Sequence, residues 1–366
     1  MITTIVVNYK SHQLAIRAAQ SVYADRPDGQ IIVVDNSECP QEVMALEAGL
    51  PKGVELHVSP QNIGFGRACN AALEKAKHDW IFLLNPDASV LPGCLDKLQS
   101  FLESTPGAGA VSPLSYWDHA CTWRLPPGQM PSPGVDFAVN LAMRFPSLGV
   151  KTSIGFRSWA LTRLRSPTAK KLNMLSGGHV FLRKSAIAAS GGLFDDNIFM
   201  YFEDTDLCRR LKSAGYGLHF LPSAQVIHSW QCQPSKAHLS ETSHRYYLKK
   251  HFPKNRWPVA QGFLARHFPI RLPSSIDLGV LTDPPHIQVP AEWQSAWVLE
   301  GSPHPLMIPA AYLVGKGAVA TFSAEVWALL GEGSYWIQLS PAKDQILPKE
   351  INRYAFRIPP MSSVVL

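Results

Sequence analysis

The chain has 366 residues, 46% hydrophobic and 17% charged, which excludes wholesale disorder and allows one large domain plus a smaller one. The formal net charge of +6 suits anionic ligands or an anionic membrane surface, but no nucleic-acid-binding module is legible, so nucleic acid is not an expected partner. The six cysteines (Cys39, Cys69, Cys94, Cys121, Cys208 and Cys232) form no C-x-x-C pair, which argues against a zinc ribbon and fits a cytoplasmic chain with reduced thiols.

Met1 to Asn8 reads as a first strand rather than a leader, and no apolar run is long enough to span a bilayer. The first hundred residues then alternate between strand and helix patterns. Ile5–Val7, Ile31–Val34, Val54–Val58 and Trp80–Leu84 are short apolar strands; Ser11–Tyr23, Asn62–Lys77 and Leu91–Glu103 have helical spacing. Short apolar strands separated by helices predict an α/β fold with a mostly parallel sheet covered on both faces. Ligands of such sheets sit beyond the carboxyl ends of the strands, where Tyr9, Asp35 and Asp87 fall.

Residues 116–172 break the pattern with Pro, aromatic and basic side chains and one helix near Val135–Arg144, as either a functional lid or a variable surface insertion. Gly177–Leu182 is a strand, Lys184–Ala189 a short helix, and Ser190–Asp195 a turn. Residues 235–268 are helical and basic, with Arg245, Lys249, Lys250, Lys254, Arg256 and Arg266 interleaved with aromatics. That stretch either packs on its own domain or lies on an anionic membrane. Beyond Pro273, Pro-rich punctuation separates β-type segments such as Ala318–Phe322, Ser334–Leu339 and Tyr354–Ile358, predicting a small β-sandwich or barrel.

Three motifs carry chemistry. Asn85-Pro86-Asp87 ends a strand: it is good turn chemistry, and its carboxylate could also bind a hard divalent cation that bridges a diphosphate. His228 follows the apolar run Gln225-Val226-Ile227 as a packed residue or a metal imidazole, which with a carboxylate suits Mn2+ or, with waters, Mg2+. Glu203 and Asp204 open a helix running to about Ser213; they complement its dipole, or supply a general base for a hydroxyl. Gly64 and Gly66 precede another helix, near whose start Arg67 could approach a diphosphate.

The ordered set Val7-Asn8-Tyr9, Val34-Asp35-Asn36-Ser37, Asn62-x-Gly64-Phe65-Gly66-Arg67-Ala68-Cys69-Asn70, Asn85-Pro86-Asp87, Gly191-Gly192-x-Phe194-Asp195, Tyr201-Phe202-Glu203-Asp204-x-Asp206-Leu207-Cys208-x-Arg210 and Val226-x-His228 resembles the family 2 inverting glycosyltransferases, in their rhamnosyltransferase-like branch. The resemblance covers about residues 1–255. It implies a GT-A, Rossmann-like sheet flanked by helices; the small C-terminal β-rich domain read from the composition beyond Pro273 lies outside it. The implied division is a catalytic domain over 1–235 (116–172 an acceptor-side insertion), a basic helical segment over 236–271 and a β-rich accessory domain over 272–366. It also implies a nucleoside diphosphate sugar donor, with rhamnose from dTDP-rhamnose as the leading case. The acceptor expected with it is a glycan, or a lipid-linked glycan because the basic and aromatic surface near residues 245–268 suits a peripheral membrane contact at the inner face of the cell membrane; the β-rich segment could bind glycan, mediate a homo-oligomer or brace the catalytic domain.

By position, the resemblance puts Tyr9 and Asp35 in the nucleoside pocket and Asn62, Gly64, Arg67 and Asn85 at the nucleotide-sugar site. Asp87 and His228 would hold a divalent metal, in a motif whose first carboxylate is replaced by Asn85. Gly177, Gly178 and Tyr201 would face sugar or acceptor, and Asp204 would be the base with Glu203 beside it. The competing expectation is a catalytically silent nucleotide-sugar or glycan binding protein. A nucleotidyltransferase ranks lower, because no Gly-rich N-terminal loop with its basic residue is present.

Overall fold

The computed structural model describes residues 1–231, 237–254, 257–342 and 350–360; Cys232 and Arg256 lie outside them. The chain opens with β1 (Ile2–Asn8), α1 (His12–Asp25), β2 (Gln30–Asp35), α2 (Pro40–Gly49), β3 (Glu55–Val58), α3 (Phe65–Glu74), β4 (Trp80–Leu84), β5 (Ala88–Val90), α4 (Cys94–Ser104) and β6 (Ala108–Tyr116). Next come β7 (Trp123–Arg124), α5 (Pro133–Ala142), α6 (Pro146–Leu164), β8 (Lys170–Leu172), β9 (His179–Arg183), α7 (Lys184–Ala189), α8 (Glu203–Ser213) and β10 (Gly217–His228). Helices α9 (Ala237–His251) and α10 (Trp257–His267) lead to β11 (Ile276–Val280), β12 (Ile287–Gln288), β13 (Trp297–Ser302), β14 (Ala311–Gly315), β15 (Val319–Ala320), α11 (Ala324–Leu329), β16 (Gly333–Pro341) and β17 (Asn352–Ile358).

Strands β3, β2, β1 and β4 pair in parallel in that order, β9 inserts antiparallel between β4 and β6, and β10 runs parallel to β6. This is the mixed, mostly parallel sheet flanked by helices that the sequence predicts. Every residue of β1 and β2 is buried, because helices cover both faces. One face packs Ile5, Ile32 and Leu83 against α3, α7 and α8; the other packs Val6, Val33 and Phe82 against α1, α2 and α4.

Among the described residues the C-terminal strands form no closed sandwich or barrel. β11, β17, β16, β13 and β14 form a sheet that joins the N-terminal one through β7, whose Arg124 pairs with Tyr116 of β6 and Tyr312 of β14. Period-two alternation shows that strands exist but not which edge they pair with. Helix α6 fastens the join: Phe156, Leu161 and Leu164 enter the same core as Tyr312 and Val298, and buried Arg157 pairs with Glu300 of β13. Among the described residues no helix is long and apolar enough to cross a membrane.

Candidate active site

Asp87 and His228 are brought together by strand pairing. β5 runs antiparallel to the end of β10, so His228 stands opposite Ala88, next to Asp87. β10 can reach β5 because its pairing with β6 shifts register between Leu221 and Gln225, around Pro222. Asp87 Oδ1 and His228 Nε2 are 3.3 Å apart and buried, yet neither is aligned for a hydrogen bond. Burial is the largest single influence and pushes the Asp87 carboxyl up, but His228, a backbone N–H and His179 together outweigh it and hold Asp87 below its ordinary range. The His179 ring lies edge-on to that of His228 with centroids 5.3 Å apart, and burial followed by the His228 charge lowers His179 to about 3. His179 is therefore neutral, its Nδ1 3.0 Å from Ser112 Oγ. It went unread in the sequence because it sits inside an ordinary apolar strand.

Glu203 and Asp204 open α8 after two residues in the left-handed region, Tyr201 (φ 66°) and Phe202 (φ 68°). Such backbone costs of order 1–3 kcal/mol per residue and persists only when the surroundings enforce it. Here α9 enforces it: Phe202 stacks on His244 at 4.8 Å, and Ser243 Oγ donates to the Met200 carbonyl. Buried Asp206 anchors the same helix, meeting Arg210, Lys250 and His251 at 2.7 Å each. Arg210 in turn donates to the carbonyls of Ser190, Gly192 and Leu193. The Gly191–Asp195 and Asp206–Arg210 motifs are thus one structural brace.

The two acids differ. Asp204 lines a cavity, with Oδ2 accepting from the Gly177 N–H at 3.0 Å and Oδ1 from Thr205 N–H. Glu203 is buried away from that lining, and its Oε2 has no hydrogen-bond partner. Burial raises both carboxyls, and the Asp204 charge raises Glu203 further.

Gly177 and Gly178 form the bridge between these centres. A Cβ on Gly177 would lie 3.1 Å from Asp204 Cβ; one on Gly178 would lie 2.9 Å from Asn85 Nδ2 and 3.0 Å from His228 Cε1. The room both glycines leave is filled by the protein's own side chains.

At the end of β2, buried Asp35 accepts from Asn8 Nδ2 (2.7 Å) and Ser37 Oγ (2.6 Å) through Oδ1, while Oδ2 has no partner. Tyr9 is exposed at the rim. Asn62 Oδ1 accepts from Gly64 N–H, and Asn36 Nδ2 donates to the Gly64 carbonyl. Gly64 (φ +85°) has no space for a side chain, since a Cβ would lie 2.5 Å from the Phe199 carbonyl oxygen. Arg67 Nε donates to the Asp196 carbonyl at 2.8 Å, tying α3 to the loop before α8.

Residues 3–165 match the family described as Glycosyl transferase family 2. The chain carries a family 2 glycosyltransferase domain. It is 29% identical over 276 residues to the N-acetylglucosaminyl-diphospho-decaprenol L-rhamnosyltransferase of Mycobacterium tuberculosis, covering 69% of this chain and 81% of that one. It is 26% identical to the rhamnosyltransferase WbbL of Escherichia coli, over 70% of this chain and 96% of the relative. Among solved structures, the mannosyltransferase PcManGT of Pyrobaculum calidifontis, in complex with GDP-Man and Mn2+, aligns at 18% identity and a TM-score of 0.44, over 69% of this chain and 63% of that one.

The cavity of this glycosyltransferase that Asp204, His179 and His228 line measures about 480 Å3. Its remaining walls come from regions outside the motifs: the insertion supplies Leu125–Pro131 and Phe156, and the C-terminal sheet supplies Gly301, Pro303 and Ile308–Ala311. Trp117 and Trp230 stand beside each other at its edge, with Trp117 Nε1 donating to the Trp230 carbonyl. These wall residues carry no signal in the sequence, because an apolar wall lacks the titratable groups that mark chemistry. Among the described residues no three His, Cys, Asp or Glu side chains form a ready metal cage.

Proposed function

We propose that this glycosyltransferase is an inverting rhamnosyltransferase. It would move rhamnose from dTDP-rhamnose to a hydroxyl of a lipid-linked glycan, with a divalent metal, Mg2+ or Mn2+, beside Asp87 and His228. The observation that carries this is the cavity where Asp204, a hydrogen-bonded carboxylate, and the unpartnered His228 imidazole face the same space. The sugar is taken from the named activities of the M. tuberculosis and E. coli relatives, and the lipid-linked acceptor from that of the M. tuberculosis relative.

Asp87 Oδ1 and His228 Nε2 fit a metal because they are buried donors with no other partner, and diphosphate oxygens and water can complete the shell. A divalent cation there would neutralise charge gathering on the departing nucleoside diphosphate. The free Asp35 Oδ2 suits an N–H on the edge of a nucleobase, with Tyr9 at the pocket rim. Asn62, Gly64 and Arg67 shape the turn that faces the nucleotide sugar, and Asn85 and Tyr201 flank it.

Asp204 is the better placed base. The acceptor oxygen bonds to the anomeric carbon, on the face opposite the diphosphate, as the bond from that carbon to the diphosphate oxygen breaks. The bonding pair leaves with the nucleoside diphosphate, and the hydroxyl proton passes to Asp204. Burial makes Asp204 more basic than an exposed aspartate, and the Gly177 N–H fixes its direction. The apolar cavity walls from the insertion and the C-terminal sheet would receive the acceptor.

The test is binding and slow hydrolysis across a panel of nucleoside diphosphate sugars, with and without Mn2+ or Mg2+. Metal-dependent binding of dTDP-rhamnose with release of dTDP is expected. A different preferred donor would overturn the rhamnose assignment. Donor binding without turnover on any acceptor would instead favour the silent binding protein.

A further inference from the structure

The basic stretch that follows the catalytic body divides into two unlike helices. α9 is a packed element, with Tyr247 fully buried, Lys250 spent on Asp195 and Asp206, and His251 on Asp206. α10 is the opposite. Leu264 is its one buried residue, while Val259 is 78% and Phe263 58% exposed. The segment behind it continues outward, with Phe268 and Leu272 exposed and Ile270 at 59%. A helix that packs on its own domain turns such residues inward, and a contiguous exposed apolar patch marks an interaction surface.

Along this segment itself the charge has one sign. Between Glu241 and Asp277 the sequence contains no Asp or Glu, while Lys254, Arg266 and Arg271 are exposed beside the apolar side chains. We propose that α10 and residues 268–272 form an interfacial anchor that lies on an anionic lipid bilayer. The apolar side chains would enter the boundary between headgroups and acyl chains, and the three cations would meet lipid phosphates. A second copy is the weaker occupant, because pairing two acid-free cationic surfaces sets like charges together.

The anchor has a direct connection to the cavity. Phe137 of α5 packs on Trp257 at 4.6 Å, while Val135 and Asp136 of the same helix line the cavity beside Asp204. One helix therefore separates the bilayer face from the acceptor space, so a headgroup-borne acceptor would reach Asp204 from the membrane side. This last step rests on the transferase reading; the anchor itself does not.

The test is co-sedimentation of the full chain with vesicles of phosphatidylcholine alone and of phosphatidylcholine mixed with phosphatidylglycerol, at low and high salt. The wild type is expected to sediment with the anionic vesicles and to be released by salt. Val259→Asp combined with Phe263→Asp, and separately Arg266→Glu combined with Arg271→Glu, should each lower the partition by about tenfold or more. All four side chains are exposed, and circular dichroism melting curves matching the wild type would show the variants folded. Wild-type protein that stays in the supernatant, or an apolar double variant that binds as well as wild type, would overturn the anchor. So would a wild-type dimer in light scattering that the apolar variant dissociates. Vesicle binding in a protein that uses no nucleotide sugar would leave the anchor standing and remove the transferase.

Discussion

Asp87 Oδ1 and His228 Nε2 stand 3.3 Å apart, both buried, and neither makes a hydrogen bond. Leaving two such atoms unsatisfied is costly, of order 1–3 kcal/mol each, unless a cation is shared between them when the site is loaded. The first prediction follows. His228→Ala should abolish the difference between donor affinity with and without Mn2+, measured by titration calorimetry, and lower kcat/KM by about tenfold or more. Metal-free affinity should stay near that of the wild type. A variant that keeps full metal dependence would show that the imidazole is a packed residue only.

Asp204 and Glu203 are adjacent in sequence but differ in surroundings, which separates their expected phenotypes. Asp204→Asn should reduce kcat by roughly 10²–10⁴ with donor Kd unchanged, whereas Glu203→Gln should retain most of the activity. Steady-state kinetics on both variants checks this, and an active Asp204→Asn enzyme would remove the proposed base.

Glu203 also carries a pH signature. Burial, then the Asp204 charge, lift its carboxyl from 4.5 to about 8, so the native state binds this proton more tightly than the unfolded chain. Stability from it is complete below the unfolded value and is lost as pH rises through the folded value. Tm should therefore fall between about pH 5 and 8, and Glu203→Gln should flatten that slope. Identical slopes in the two proteins would show that the Glu203 proton is not held in the native state.

The parallel core was legible because its strands are short apolar runs and Asp35 and Asp87 fall at their ends. The pairing of Asp87 with His228 could not be read from spacing, since it depends on a register shift in β10 that no local pattern announces. α6 was hidden because its 19 residues pack on both the catalytic core and the C-terminal sheet, leaving no single apolar stripe to recognise. β6 was missed because its apolar residues are interrupted by Gly109, Ser112, Pro113 and Ser115, all buried or lining the cavity. The role of Asp206 as a brace became visible only when α9 supplied Lys250 and His251 from 44 and 45 positions onward.

The C-terminal wall of the cavity makes a fourth prediction. Ile308 lines it and is half-buried, so Ile308→Trp extends into the space where an acceptor would sit. Acceptor KM should rise about tenfold, while slow donor hydrolysis, which needs only the Asp87 side of the site, should be unchanged. The overpacking cost is about 1–3 kcal/mol, and a melting curve separates that from the kinetic effect. Equal loss of donor hydrolysis would place the effect in the fold rather than in acceptor binding.

The last prediction concerns what joins the C-terminal sheet to the catalytic body. Arg157 of α6 and Glu300 of β13 are buried and ion-paired, and Arg157 also donates to Ser340 Oγ at 2.7 Å. Removing one partner strands the other charge in a dry interior, which costs about 3–5 kcal/mol. Replacing both with apolar residues of similar size removes the desolvation penalty along with the attraction. Arg157→Met and Glu300→Leu should therefore each destabilise strongly, while the double variant should recover most of the loss in urea unfolding. Because this pair lies in the seam between β13 and α6, the single variants should also weaken acceptor use more than donor binding. Strictly additive losses in the double-mutant cycle would show that the two side chains contribute independently, and the seam would then rest on the apolar contacts of Phe156, Tyr312 and Val298 alone.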